Sequence, residues 1–506
     1  MRKWWPLVTI CLGTFMLLID VTIVNVALPP MAVDLHTSFS SLQWVVDGYA
    51  LSLAVLLLGA GALGDLLGHR RLYAAGLTLF ALASLTCGMA GDDAVLIIAR
   101  VVQGIGAAAM FTTTFALING SYRGRERGVA YGVWGGVSGA ASAVGPILGG
   151  LLTDGFNWRW IFLVNLPVSV AALLLCRLVL PHDGPRRTGR FDLPGTVSFT
   201  TAAAALTVAV IRADEAGWTS PQTCGLLAVS LAAFGVFVLV ERRSPNAMLD
   251  LALLRRRSFT GVMVAALLVN FAAFAAFTYT SIWLQSVVGL SPLRAGLTGL
   301  PMSVMSVLVS TVAGARLHGR SPRWIVGSGM LLIGLGSLVC AVLVDPASSW
   351  PALVPGYALI GAGVGLVMPS LSSSAMAAVP AHRGGMAAGA VTTARQLGFA
   401  VGVAVLGTVF ASRAETYLGG HGAPQPAATA HGLAAGQAAR ILASAPDGVR
   451  ATVEAALRGA AAAGIDGGFL VAGLAGLLGA AAVIWLVRPA AAPAADREPA
   501  SRVPAA

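Results

Sequence analysis

Three charged side chains stand within or beside stretches that are otherwise apolar: Asp20 in the run from Pro6 to Pro29, Asp47 ahead of Leu51–Gly61, and Arg100 inside AVLIIARVVQGIG. Holding such a charge in hydrocarbon costs about 2.5–3.5 kcal/mol on insertion scales, so an intramembrane acid marks a candidate functional site. Counted along helices, Asp47 and Arg100 lie five and six residues from the same end of their segments, and Asp20 is read at a similar depth. That places all three roughly 7–9 Å below one surface of a core about 30 Å thick. Arg100 is therefore expected to pair with Asp20, Asp47 or both. Burial and a neighbouring guanidinium push a carboxylate's proton affinity in opposite directions. A motion that parts the pair would let the acid take up a proton. The alternative is a static ion pair that fixes helix packing.

The elements that must position these groups follow from composition. Of 506 residues 57% are hydrophobic and only 10% charged, against about 25% charged in a soluble domain. Runs of about 20 apolar residues recur along the chain, each long enough to span a bilayer as a helix. An all-α, polytopic membrane protein is expected. The first run is too long, and too poor in a cleavage site, for a removed signal peptide. Fourteen helices are expected near 6–30, 42–64, 72–91, 94–118, 129–152, 161–181, 192–211, 222–240, 259–287, 295–316, 323–344, 351–379, 386–411 and 467–488. The net charge is +11 and Lys3 is the single lysine. Arginines gather in alternate loops, which puts both termini in the cytoplasm and argues against nucleic acid as a partner. The five cysteines lie in or near apolar runs without paired spacing, so neither disulfides nor metal ligands are expected.

The domain reading is a six-helix bundle over 1–185, two inserted helices with cytoplasmic linkers over 186–258, and a second six-helix bundle over 259–488. Residues 412–466 are expected as a long external loop with an amphipathic helix near 433–459, and 489–506 as a disordered cytoplasmic tail. An internal repeat supports the two halves. The stretch Gly61–Arg70 returns at Gly314–Arg323, with His318 where the first copy has Asp65. Paired halves around a midplane site are a hallmark of secondary transporters.

Glycines four apart on segment five, Gly132, Gly135, Gly136, Gly139, Gly145, Gly149 and Gly150, permit close helix approach, and Pro146 removes one helical hydrogen bond. Leu18-Ile-Asp20-Val-Thr-Ile-Val-Asn25-Val-Ala-Leu-Pro29 resembles the first-helix signature of the fourteen-helix drug:proton antiporter branch of the major facilitator superfamily. Gly61 to Arg71 is similar to that superfamily's motif A, Arg100 to Gly106 to motif B, and Gly139 to Gly150 to the antiporter motif. Trp158–Pro167 and Arg395-Gln396-Leu-Gly398 also match. The resemblance implies a major facilitator fold of two six-helix bundles plus two inserted helices. It implies proton coupling by Asp20 and Arg100, to which the depth of Asp47 adds that acid, and a cytoplasmic gate at Gly61, Asp65, Gly68, Arg70 and Arg71. The antiporter motif Gly139, Gly145, Pro146, Gly149 and Gly150 would let helix five bend and seal.

Substrate contacts are expected from Asn25, Gln103, Asn270, Phe274, Phe277, Gln285 and Arg395. The aromatic stripe on segment nine could equally be plain packing, and Arg395 either receives an anionic group or bonds helix carbonyls. The expected function is proton-driven export of small hydrophobic or cationic, drug-like molecules from a bacterial inner membrane. A monomer in the bilayer is expected, with protons as co-substrate and no cofactor beyond the gradient. The alternatives are a dedicated exporter of one metabolite and a transport-inactive sensor or scaffold; no enzyme motif stands out.

Overall fold

Backbone polar groups in hydrocarbon must be satisfied within their own segment, so apolar runs of this length become helices. The computed structural model describes residues 2–37, 39–183, 190–217, 219–245, 247–317, 321–377, 379 and 383–487. The expected tail after Pro489, Arg186, Arg187, His318 and His382 lie outside the described residues. The main helices are α1 (Trp5–Asp34), α2 (Phe39–Leu67), α3 (His69–Gly88), α4 (Asp93–Ser121), α5 (Gly124–Gly155), and α6, whose two pieces are Trp160–Leu163 and Asn165–Val179. Next come α7 (Leu193–Ala216) and α8 (Pro221–Arg243). Then α9 joins Arg257–Asn270, a π-helical turn Phe271–Ala275 and Ala276–Ser286. The chain continues with α10 (Leu300–Arg316), α11 (Pro322–Leu343), α12 (Val354–Ala377), α13 (Gly384–Gly420) and α14 (Arg450–Leu486). Thirteen described spans are long and apolar enough to cross a membrane. Helix α5, the expected fifth crossing, has 32 residues and is long enough as well, but stands outside those thirteen.

Apolar packing falls into separate clusters. One gathers side chains from Val262 to Val487 only. Two others draw mainly on α1 to α6. A fourth links α2, α7, α8 and α13 through Val55, Leu58, Phe199, Phe237 and Met386. Helix α8 buries only 11% of its apolar window against protein, so most of its surface is left for lipid. Between the two halves, α2 meets α13 through glycine: a Cβ on Gly61 would overlap the Gly385 carbonyl oxygen. Helix α5 carries two glycine contacts of opposite direction. Gly132 and Gly136 press on Thr311 and Val307 of α10, whereas Gly145 and Gly149 press on Thr22 and Ile23 of α1.

Several helices exceed their expected lengths. Helix α1 reaches Asp34, so equal counts from helix ends do not measure the depth of Asp20. Helices α13 and α14 run for 37 residues each, about 55 Å at 1.5 Å per residue and well beyond the core. Much of the expected loop 412–466 is therefore helix. Its expected amphipathic helix is replaced by Pro426–Ala434, Ala438–Ser444 and the start of α14. Hydropathy registers only the membrane-depth portion, while alanine-rich sequence continues the helix into water. The extension is held by side chains packed on glycine: Tyr417 on Gly459 and Phe410 on Gly464.

The tightest backbone approach in the second half is between α9 and α13, where a Cβ on Gly398 would overlap the Leu267 carbonyl oxygen. Backbone cannot yield as a flexible side chain does. Gly398→Val is expected to destabilise the protein by about 3 kcal/mol or more, read as a lowered thermal midpoint in detergent. A midpoint matching wild type would show that the two helices do not press together there.

Candidate functional site

Asp20 occupies α1 at a point where α2, α3, α4 and α6 all supply polar atoms. Its Oδ2 accepts from Arg100 Nη1 at 2.5 Å. Its Oδ1 accepts from Gln103 Nε2 and from Asn165 Nδ2, each at 3.0 Å. Both amides also donate to Ser84 Oγ, at 3.2 and 3.1 Å, and Ser84 in turn donates to the Phe162 carbonyl at 2.9 Å. Asp20, Ser84 and Gln103 have no solvent exposure, and Arg100 has 1%. An unpaired charge at such a place would be expelled or neutralised, so the full set of bonds is what allows the pair to remain.

Arg100 is held on every side. Its Nε donates to the Val45 carbonyl at 2.9 Å and its Nη1 also to Gln103 Oε1 at 2.8 Å. The guanidinium carbon lies 4.1 Å from the Tyr49 ring centroid and 5.7 Å from that of Phe162. Such contacts attract a cation to the ring face. The spacing Arg100–Gln103 puts both side chains on one face of α4, and Gly104 beside them lets α2 approach, since a Cβ there would meet the Tyr49 carbonyl at 2.6 Å. Asp47 is partly buried on α2. From the same helix Val45 reaches Arg100 through its carbonyl and Tyr49 through its ring.

Three N–H donors aimed at one carboxylate suit an ionised acceptor. A protonated carboxyl would bring an O–H that none of those donors can accept.

A second cluster sits at the arginine-rich ends. Asp65 Oδ1 and Oδ2 accept from the backbone N–H groups of Gly385 at 2.7 Å and Met386 at 2.8 Å, the first turn of α13. A carboxylate at a helix N-terminus satisfies orphan donors and the helix dipole together. His69 Nε2 lies 3.3 Å from the same carboxylate. Asn119 of α4 adds a contact across the halves to Met376 of α12. Among the described residues, the bonds of Arg70 stay within one half. Its backbone N–H donates to Asp183 at 2.8 Å and its Nη2 to the Arg177 carbonyl at 2.7 Å, so it ties α3 to α6 within one half. Gly68 takes a positive φ of 99°, and a Cβ there would strike the Asp183 carboxylate as well. Arg71 is exposed.

At the opposite ends, Asp34 closes α1 onto α6. It accepts from Arg159 Nη1 at 2.5 Å and Trp158 Nε1 at 3.0 Å, and Arg159 also donates to the Ala90 carbonyl. The hydrogen bond from Arg159 holds the Asp34 carboxyl below the usual carboxylate range. A lowered folded value means the clasp is at full strength above the ordinary range near pH ~4 and is lost as pH falls through the lowered value. Thermal melts of wild type and Asp34→Asn are expected to differ at pH 7 and to converge on acidification. Parallel melts at all pH values would remove the clasp's role.

The expected substrate residues lie on α1, α4, α9 and α13. Arg395 Nε donates to Asn270 Oδ1 at 3.3 Å. Phe277 lies tilted against Tyr357, with centroids 6.0 Å apart, and packs on Gly299. Gln285 is exposed and bonds Ser281. Phe274 is partly buried, and Gln103 belongs to the Asp20 network. The π-turn rotates the residues after Asn270 relative to a regular helix, which breaks the expected register. The side chains of Asn25, Gly139 and Pro146 lie outside the described residues; their helices α1 and α5 run unbroken through them. A Cβ on Gly150 would meet nothing within 4 Å among the described residues. Ser84, Asn165 and Tyr49 were not expected at the site. Asn165 lay within the motif Trp158–Pro167, but a lone serine in α3 and a tyrosine in α2 carried no signal.

A helical membrane protein with glycine-mediated contacts between two halves and a buried Asp–Arg pair has the build of a secondary transporter. The chain belongs to the Major Facilitator Superfamily, whose family model matches residues 10–403. It is 39% identical over 405 residues to the multidrug resistance protein Stp of Mycobacterium tuberculosis, covering 79% of this chain and 74% of that protein. It is 38% identical over 447 residues to the puromycin resistance protein pur8 of Streptomyces alboniger, covering 87% and 88%. The tetracenomycin C resistance and export protein of Streptomyces glaucescens is 32% identical over 418 residues, covering 81% and 77%. Among solved structures, the human organic anion transporter MFSD10 superposes with a TM-score of 0.61 at 16% identity, covering 95% and 99%. The proton:xylose symporter XylE superposes with a TM-score of 0.60 at 13% identity, covering 96% of each chain. Both share the fold.

Proposed function

We propose that this protein exports small hydrophobic, drug- or antibiotic-like molecules across a bacterial inner membrane in exchange for protons, with the arginine-rich side and both termini in the cytoplasm. The observation that carries the reading is the fully buried Asp20 carboxylate, which accepts from three N–H donors and pairs with Arg100. Relatives named for multidrug, puromycin and tetracenomycin C resistance support export.

In the proposed cycle a proton reaching Asp20 removes its charge and parts it from Arg100. The guanidinium stays behind, held by Val45, Gln103 and the Tyr49 ring. The freed contacts between α1 and α4 let the two six-helix halves rock around a central cavity, and the Asp65 latch opens. Release of the proton to the cytoplasm restores the pair. Each proton moving inward supplies about 2.3 kcal/mol per 100 mV of membrane potential. Asp65, Gly61 and Gly385 serve as the cytoplasmic latch, and α5 as the tight seam against α1. A monomer suffices, and the gradient is the only energy source.

The test uses everted vesicles holding the full-length protein and energised to pump protons inward. Hoechst 33342, puromycin and a panel of aromatic antibiotics are expected to enter on energisation and to stop when a protonophore is added. No gradient-dependent movement of any panel compound, in vesicles with a verified pH gradient, overturns the reading. Movement of one compound alone would favour a dedicated exporter.

A further inference from the structure

Arg395 is a membrane-depth charge with no carboxylate paired to it among the described residues. It lies eleven residues into α13 from Gly384, about 16 Å from that end and near the middle of a 30 Å core. Between residues 259 and 411 the sequence has one acidic residue, Asp345, which sits in the loop joining α11 to α12. Among the described residues Arg395 takes part in no ion pair. In the other half Arg100 already neutralises Asp20. The one hydrogen-bond partner described for Arg395 is a neutral amide oxygen, on Asn270, bonded to Nε.

Among the described residues the terminal nitrogens of the guanidinium have no hydrogen-bond partner, and the residue keeps some accessible surface. Two parallel N–H groups of this kind match a carboxylate bidentately. The surroundings are built to hold the fork in place. Gly398 and Gly402 press α13 onto Leu267 and Phe271 of α9, and Asn270 stands at the last residue before the π-turn Phe271–Ala275. Turns of this kind concentrate at functional sites. Phe271 and Phe274 lie within that turn, so aromatic side chains follow directly on the residue that holds the guanidinium.

We infer that Arg395 and Asn270 form an anion-receiving subsite, and that the ligands of this protein include aromatic compounds carrying an ionised acidic group, a carboxylate or an acidic phenol. The Asn270 carbonyl fixes Nε, and the terminal nitrogens of Arg395 take the ligand's anionic oxygens. The inference rests on the export reading only in so far as the ligand is also exported; binding stands apart from it.

Two probes of equal aromatic surface and different charge test this. Binding of 1-pyrenebutyrate and 1-pyrenebutanol to the purified full-length protein at pH 7.5 is read from quenching of tryptophan fluorescence. Wild type is expected to bind the acid about tenfold more tightly than the alcohol, as for a charge-assisted pair. Arg395→Gln is expected to bring the acid to the affinity of the alcohol, and Arg395→Lys to keep part of the preference. Equal affinities in wild type overturn the inference without any variant. An undiminished preference in monodisperse Arg395→Gln protein overturns it too. Gradient-driven dye movement without acid preference sinks this inference alone, and acid preference without gradient-driven transport sinks the export reading alone.

Discussion

Asp20→Asn is expected to reduce proton-driven export in vesicles more than tenfold, while exchange of labelled for unlabelled substrate without a gradient persists. The amide keeps nearly the same volume but loses the charge and puts an N–H₂ where the network already supplies donors. Arg100 Nη1, Gln103 Nε2 and Asn165 Nδ2 all point at this side chain, so one donor must face another. Removing one partner of a buried ion pair costs about 3–5 kcal/mol. The Val45 carbonyl, Gln103 Oε1 and the Tyr49 ring remain around Arg100 and offset part of that. The protein should therefore fold, with a lower thermal midpoint. A single tenfold loss corresponds to about 1.4 kcal/mol, well within what the missing proton site would remove. Undiminished pumping with equal proton movement would mean that Asp20 is only a structural partner of Arg100.

The second large effect is expected at Asp65. Asp65→Ala removes both acceptors that cap α13, at Gly385 and Met386. Helix caps contribute up to about 2 kcal/mol, and these two bonds are charge-assisted and cross between the halves. A shift of 2 kcal/mol moves an open–closed equilibrium ~30-fold. Spin-label distances between the arginine-rich ends of α2 and α13 are expected to lengthen in most molecules of the variant. Asp65→Asn retains one acceptor oxygen and should fall between the two. A distance distribution identical in wild type and Asp65→Ala would show that the latch does not hold the halves.

These residues differ in how far they could be read before folding. Asp20, Arg100 and Gln103 were legible because a polar group in an apolar run is anomalous by itself. The partners of Asp20 on α3 and α6 were not. Ser84 is one small hydroxyl in a helix, and nothing local says which way it faces. Asp65 was legible as part of a motif, but its partners are backbone N–H groups, which leave no trace in residue identity. Arg70 shows the reverse: a charge next to a supposed gate, spent within its own half on Asp183 and the Arg177 carbonyl. The stripe on α9 was counted on a regular helix, and the π-turn Phe271–Ala275 offsets the residues after it from that count.

By itself the sequence determined the class of molecule, the approximate place of its crossings and the presence of a buried acid and base. Transfer from water to lipid is summed residue by residue along a segment, so a window of about 20 residues contains the answer. Tertiary structure alone decided the pairings: Asp20 with Arg100, Asp65 with the start of α13, Arg395 with a neutral amide. A helix turns 100° and rises 1.5 Å per residue, so a displacement of one residue sends a side chain to a different neighbour. Only packing of all the helices together sets rotation and depth that finely.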